Sequence, residues 1–216
     1  MARQYFGTDG IRGRVNTPPM TAESALRLAI AAARTFAPNG SREVVIGRDT
    51  RRSGQMIEAA LIAGLTSMGL KPVLLGIVPT PTVALMTRET GAALGLMVSA
   101  SHNKSDDNGI KLFSPAGIKL TDAEEEALEA AMASAFEGDF APPPAISTPH
   151  HMKGATTLYL ERCLETVGTD IDFSGLKIVL DCAHGAAYEV GPAALRQLGA
   201  DVTIIGDTPD GLNINA

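Results

Sequence analysis

The alternation of two hydrophobic periods constrains this chain more than any other feature. From about residue 21 onward, continuous apolar runs such as Val44-Val45-Ile46 and Leu94 to Ser99 alternate with segments whose apolar residues recur every three or four positions. Short continuous runs suit strands buried on both faces, and helical segments between them supply the crossovers that parallel strands require. The expected fold class is α/β: a mixed, mainly parallel sheet sandwiched by helices, followed by an incomplete second α/β domain. Thr21 caps a first helix in which Leu26, Ile30, Ala33 and Phe36 share a face, and Pro38-Asn39-Gly40 ends it. A second helix runs from about Gln55 to Met68 and stops at Gly69. A strand from Pro72 to Gly76, a helix from Pro81 to Arg88 and the strand at Leu94 complete the pattern.

Beyond residue 109 the pattern changes. Ile110 to Phe113 and Ile118 to Leu120 flank Ser114-Pro-Ala-Gly117, which reads as a β-hairpin around a type I turn. Thr121 with Glu124 gives a capping box for an acidic helix through about Phe136. Pro142-Pro143-Pro144 and the run to His150-His151 have linker composition, so a boundary is expected near residue 150, dividing 1–150 from 151–216. The second part holds a helix from about Ala155, strands at Leu176 to Leu180 and Val202 to Ile205, and a helix ending at Gly199. Two strands in so short a stretch bury little, and the turn-rich end at Asp207 to Ala216 suggests a domain cut partway. Leu65 to Gly76 matches Leu195 to Gly206 without a gap, through internal duplication or because helix–Gly–strand junctions resemble one another.

Length and composition narrow the class. The chain has 216 residues, room for one large or two modest domains. Its net charge of −6 gives no broad footprint for nucleic acid or an acidic membrane, so any phosphate binding must be local. Cys163 and Cys182 fall in a helix and a buried-strand pattern rather than a stapled loop, which fits a reducing cytoplasm. The N-terminal Met1 to Gly10 lacks a signal-peptide core, and no run approaches the ~18 apolar residues of a membrane span.

Three clusters could carry chemistry. Ser99-Ala-Ser-His-Asn-Lys104 to Gly109 follows a buried strand, where open α/β sheets hold ligands, and Ser101 is its candidate nucleophile. Asn108-Gly109 is expected to form a tight turn that brings Lys111 back, so that hydroxyl, His102 imidazole and ammonium converge on one anion. The second cluster is Phe6-Gly-Thr8-Asp9-Gly10-Ile-Arg12-Gly13-Arg14. It is either a glycine-rich approach to a phosphate with Arg12 as a planar fork, or a flexible terminus with a solvated Arg. The third, Gly47-Arg48-Asp49-Thr50-Arg51-Arg52-Ser53-Gly54, is either an anion site at a helix start or an ion-paired loop in which Asp49 satisfies an Arg. His150-His151 lacks ligands at metal spacing, and Asp170 with Asp172 reads as an exposed turn. No Gly-x-Ser-x-Gly elbow surrounds Ser101, which argues against a serine hydrolase.

Together these motifs resemble the N-terminal part of the α-D-phosphohexomutase superfamily. Phe6 to Gly13 is similar to the opening motif of its phosphoglucosamine branch. Gly47 to Arg51 with Ser53-Gly54, Pro79-Thr-Pro81, and Ser99 to Asn103 with Asp107 to Lys111 resemble the motifs that follow, the last being the phosphoserine loop. Asp181 to Gly185 and Asp210 to Asn215 resemble second-domain pieces. The resemblance implies interconversion of glucosamine 6-phosphate and glucosamine 1-phosphate through a phosphoserine at Ser101 and a bisphosphorylated intermediate, feeding cell-wall amino-sugar synthesis. It implies catalytic roles for Ser101, His102, Lys111 and Arg12, and phosphate contacts from Thr8, Asp9, Gly10, Arg48 and Asn103. Mg²⁺ would touch the phosphate on Ser101, with its aspartates beyond residue 216. A hexosamine phosphate is the implied partner, with no nucleic acid or membrane, and a homodimer of the full-length enzyme is compatible. The alternatives are a phosphomannomutase or phosphoglucomutase of the same superfamily and a non-catalytic phosphate-binding piece. Lys104 stands where the family loop usually has proline, and the three-aspartate metal loop is absent from the chain, so little turnover is expected of these residues alone.

Overall fold

The apolar runs become the middle of a seven-stranded sheet. The computed structural model describes residues 5–7, 10–37 and 42–216; Thr8, Asp9 and the expected helix stop Pro38-Asn39-Gly40 lie outside the described residues. In chain order the elements are β1 (Phe6–Gly7), β2 (Gly10–Arg14), α1 (Ala22–Phe36), β3 (Glu43–Arg48), α2 (Ser53–Ser67), β4 (Lys71–Ile77), α3 (Thr80–Thr90) and β5 (Leu94–Val98). They continue as β6 (Asp107–Phe113), α4 (Asp122–Ala133), β7 (His150–His151), α5 (Ala155–Val167), β8 (Lys177–Asp181), α6 (Val190–Gln197) and β9 (Asp201–Ile205). The large sheet has the order β1-β2-β6-β5-β3-β4-β7, while β8 and β9 form a separate parallel pair. β5, β3, β4 and β7 pair in parallel, and β6 runs against both β5 and β2. β2 therefore shares the direction of the parallel strands, and the sheet is mixed but mainly one-directional.

Alternation along each strand divides the interior into two cores, because successive side chains leave opposite faces. Ile46, Leu96, Val98, Ile110 and Leu112 pack under α1, α2 and α4 with Leu28, Leu61 and Leu128. Val45, Val73 and Met97 face the other way and pack with Val83 and Met86 of α3 and Ala155 of α5. Helices thus cover both faces of strands that are buried throughout, the arrangement that continuous apolar runs require.

Four expectations need correction. The N-terminal cluster forms the strands β1 and β2, the latter paired with β6 in the register Ile11↔Ile110 and Arg12↔Gly109. Asn108 and Gly109 lie inside β6 rather than in a turn. The reversal instead spans Lys104 to Asp107, whose backbone N donates to the Lys104 carbonyl at 3.1 Å. His150-His151 is a short edge strand on β4, not a linker. Cys182 follows β8 and is only half-buried, because among the described residues β8 pairs with β9 alone and alternate residues stay exposed. The hairpin after β6 does form, with Gly117 N bonding Ser114 O at 2.8 Å, but its second leg is a single bridge, Phe113↔Lys119.

The gapless match between Leu65–Gly76 and Leu195–Gly206 has a structural counterpart. Each helix ends in a glycine of left-handed conformation, Gly69 at φ 74 and Gly199 at φ 97, which a side chain would resist. Leu70 N then bonds Leu65 O at 2.9 Å, and Ala200 N bonds Leu195 O at 3.1 Å, before a parallel strand begins in both places.

Candidate active site

The loop after β5 is held by its own polar atoms. Ser99 N donates to the Gly109 carbonyl at 2.9 Å, its hydroxyl accepts from Ser101 N at 3.0 Å, and Asn103 N bonds Ala100 O at 3.1 Å. The Asn103 amide reaches the Asp107 carboxylate at 2.8 Å and so ties both ends of the loop together. Ala100 is buried, whereas Ser101 and His102 project into solvent. Ser101 adopts φ 55, the left-handed region, which costs a non-glycine residue about 1–2 kcal/mol. Gly109 is required beneath it, since a Cβ there would sit 2.7 Å from both the Ile11 and Ser99 carbonyl oxygens.

What stabilises this conformation is a cation that no solvent reaches. Arg51 is fully buried; its Nη1 pairs with the Asp49 carboxylate, and its backbone N donates to Asp49 Oδ1 at 3.0 Å. Its Nη2 donates to the carbonyl of Ser101 at 3.3 Å and to that of Asn103. The ion-paired alternative for the third cluster is therefore the one observed, with the guanidinium spent on Asp49 and on the backbone of the serine loop. Hydrogen bonds from a charged donor are worth about 1.5–3 kcal/mol, enough to offset the left-handed residue.

Ser101 and His102 line a cavity of about 320 Å³, together with Ser99, Met97 and Asp49. Pro79 and Thr80, at the start of α3, form one side, so the positive end of an eleven-residue helix faces the space. The opposite wall comes from Ala183 to Ala187 and from Ile214 and Asn215. This second loop is bonded to the first: Thr50 Oγ1 donates to His184 O at 2.6 Å, and Asn215 Nδ2 donates to His102 O at 2.7 Å. Ala183, His184 and Asn215 have positive φ like Ser101, so backbone strain concentrates on both sides of one space, as it does at functional sites. Burial first, and then the carboxylates of Asp207 and Asp181, push the Cys182 thiol above its ordinary range, which keeps it protonated and a poor nucleophile.

The remaining expected residues divide by strand face. Arg12 opposes Gly109, and Lys111 opposes Met97, so both share the sheet face of Met97, which lines the cavity. Neither itself lines the cavity. Gly10 begins β2 with φ 88 against the Ile110 carbonyl, a backbone contact that leaves no room for a side chain. Arg48 is not brought to the site. It points toward α2 and pairs with Glu58 at 3.1 Å, because Gly47 next to it faces Val78, Val83 and Met97. The sequence places Arg51 and Thr50 in the third cluster but does not show that Arg51 holds the serine loop or that Thr50 bonds the opposite wall, and it puts Asp181–Gly185 and Asp210–Asn215 in another unit without expecting them to close the cavity. Among the described residues no three of His, Cys, Asp and Glu lie together as a metal site.

Comparison with known proteins identifies the family. Residues 3–139 match the family model described as phosphoglucomutase/phosphomannomutase, alpha/beta/alpha domain I. The chain belongs to this family. A phosphoglucosamine mutase of Hyphomonas neptunium is 71% identical over 216 residues, all of this chain and 48% of that relative. A phosphoglucosamine mutase of Jannaschia sp. is 54% identical, with the same two coverages. The crystal structure of a putative phosphomannomutase from Thermus thermophilus superposes with a TM-score of 0.80 at 32% identity, covering 96% of this chain and 46% of that one. The chain thus spans about half the length of the curated relatives it matches.

Proposed function

We propose that this chain is the serine-bearing half of a phosphoglucosamine mutase, with a division of units near residue 150. The supporting observation is Ser101, held left-handed with its hydroxyl side exposed on a cavity that faces the start of α3. Phosphorylated Ser101 donates its phosphoryl group to one hydroxyl of a hexosamine phosphate: the P–Oγ bond breaks, a P–O bond to the sugar forms, and the hydroxyl proton passes to a nearby base. The second phosphoryl group of the bisphosphorylated sugar then returns to Oγ. Such transfer asks for positioning and charge neutralisation rather than covalent work by the protein. In this reading Arg12 and Lys111, which share the sheet face of Met97 without lining the cavity, supply positive charge, and His102, which lines it, or Lys111 takes the hydroxyl proton. Asn103 shapes the loop. Arg48 has no phosphate role in this reading, since Glu58 engages it.

Glucosamine phosphate is favoured over mannose or glucose phosphate by the relatives at 71% and 54% identity, both named phosphoglucosamine mutase. A cytoplasmic location and a homodimer of the full-length enzyme belong to the same reading. Mg²⁺ is the cation the resemblance implies, but the described residues do not make a site for it, and no step here depends on one. The test is intact-mass analysis after incubation with glucosamine 1,6-bisphosphate, alongside a coupled mutase assay. The reading expects one HPO₃ added to the chain, none added to Ser101→Ala, and little turnover by these 216 residues alone. An unmodified parent chain would contradict it.

A further inference from the structure

We propose that Arg51 is a positioning residue for phosphoryl transfer, acting through the backbone of the serine loop and never touching the phosphate. The proposal rests on the reading of Ser101 as the phosphoryl carrier. Arg51 is fully buried, so it cannot be a ligand for an anion in the cavity, and its Nε finds no partner among the described residues. A buried ion pair is weak evidence for stability, because desolvating two charges consumes most of the attraction between them. What distinguishes this pair is where it points. Nη1 lies on Asp49, which also lines the cavity, while Nη2 is shared between the carbonyls of Ser101 and Asn103. Holding the Ser101 carbonyl inward, with Ser101 at φ 55, leaves its side chain outward on the cavity. If the fork were lost, Ser101 could relax to negative φ and the hydroxyl would rotate away from its place. Lysine would keep the charge but is a point donor and cannot span both carbonyls and the carboxylate.

The experiment compares the parent chain with Arg51→Lys and Arg51→Gln by two independent readouts. Amide hydrogen exchange of residues 101–104 reports the hold on the loop whether or not any chemistry occurs. The rate of phosphoryl uptake from glucosamine 1,6-bisphosphate, measured by intact mass across donor concentrations, reports positioning. A misplacement of about 1 Å lowers such a rate by roughly a hundredfold. The expected result is faster exchange confined to the loop, with a rate constant at saturating donor lower by about that factor for Gln and less for Lys, and an unchanged half-saturating concentration. If Arg51→Gln does not fold, Asp49→Asn, which weakens the anchor and keeps the guanidinium, is expected to change both readouts in the same direction. Folded variants whose exchange and uptake match the parent overturn the proposal. A parent that takes up no phosphoryl group, with exchange still accelerated in the variants, overturns the reading of the site instead and leaves Arg51 as a purely structural clamp.

Discussion

At the scale of single residues, the serine loop joins a strained conformation to a crowded floor. Ser101 has positive φ, and Gly109 below it has two carbonyl oxygens where a Cβ would go. Gly109→Ala is therefore expected to cost about 1–3 kcal/mol, the usual range for overpacking, read as a lower urea midpoint; an unchanged midpoint would mean that the strands can part at no cost. Ser101→Gly should be about 1 kcal/mol more stable than Ser101→Ala, since glycine accepts the left-handed region that alanine resists. Equal melting of the two variants would show that residue 101 is not left-handed in solution. Asn108-Gly109 reads as a tight turn because that dipeptide favours one. The structure uses the same glycine for close approach of β6 to β2 and to the Ser99 backbone just past β5, a requirement that local turn chemistry does not encode.

At the scale of elements, α4 offers the clearest test. Its capping box is complete, with Thr121 Oγ1 accepting from Glu124 N at 3.3 Å and Thr121 N donating to the Glu124 carboxylate at 2.7 Å. Thr121→Ala is expected to cost about 1 kcal/mol by chemical denaturation. The hydrogen bond from the Thr121 backbone, followed by that from its hydroxyl, holds the Glu124 carboxyl below the usual glutamate range. A lowered folded-state value means that this contribution is present above the ordinary glutamate pKa and fades as pH falls through the lowered one. The stability difference between parent and Glu124→Gln should accordingly shrink on acidification below about pH 4, near the reference value of a free glutamate; a difference that grows there would reverse the sign argued. This cap was legible in the sequence, as were the apolar strands β3 and β5, because each carries its own pattern over several residues. β1, β2 and β7 were not: a two-residue edge strand has no period and is defined by the neighbour it pairs with, and the glycine- and arginine-rich β2 is defined by its pairing with β6.

At the scale of the whole molecule, two segments about a hundred residues apart in sequence close one space. Asn215 donates its side-chain amide to His102 O and its backbone N to Ala183 O, and Thr50 bonds the carbonyl of His184. Asn215→Ala should speed amide exchange in residues 101–103 and 183–185 together while leaving β3 and β5 protected. Acceleration on one side alone would mean that the two loops are not coupled through this residue. The motifs that supply both walls were visible as separate clusters, but their meeting was not, because sequence distance carries no information about which loops share an end of a sheet. Arg51 is only half legible for a related reason: the sequence offers an arginine paired with Asp49, but only packing buries that pair and turns its other arm onto the serine loop.

The identity of the phosphorylated atom is the most direct test. After exposure to glucosamine 1,6-bisphosphate, fragment-ion mass mapping of the peptide that contains Ser99, Ser101 and Ser105 should place the phosphate on Ser101 alone, and added glucosamine 6-phosphate should remove it. Phosphate on another residue, or a phosphoserine that the sugar phosphate leaves in place, would contradict the account.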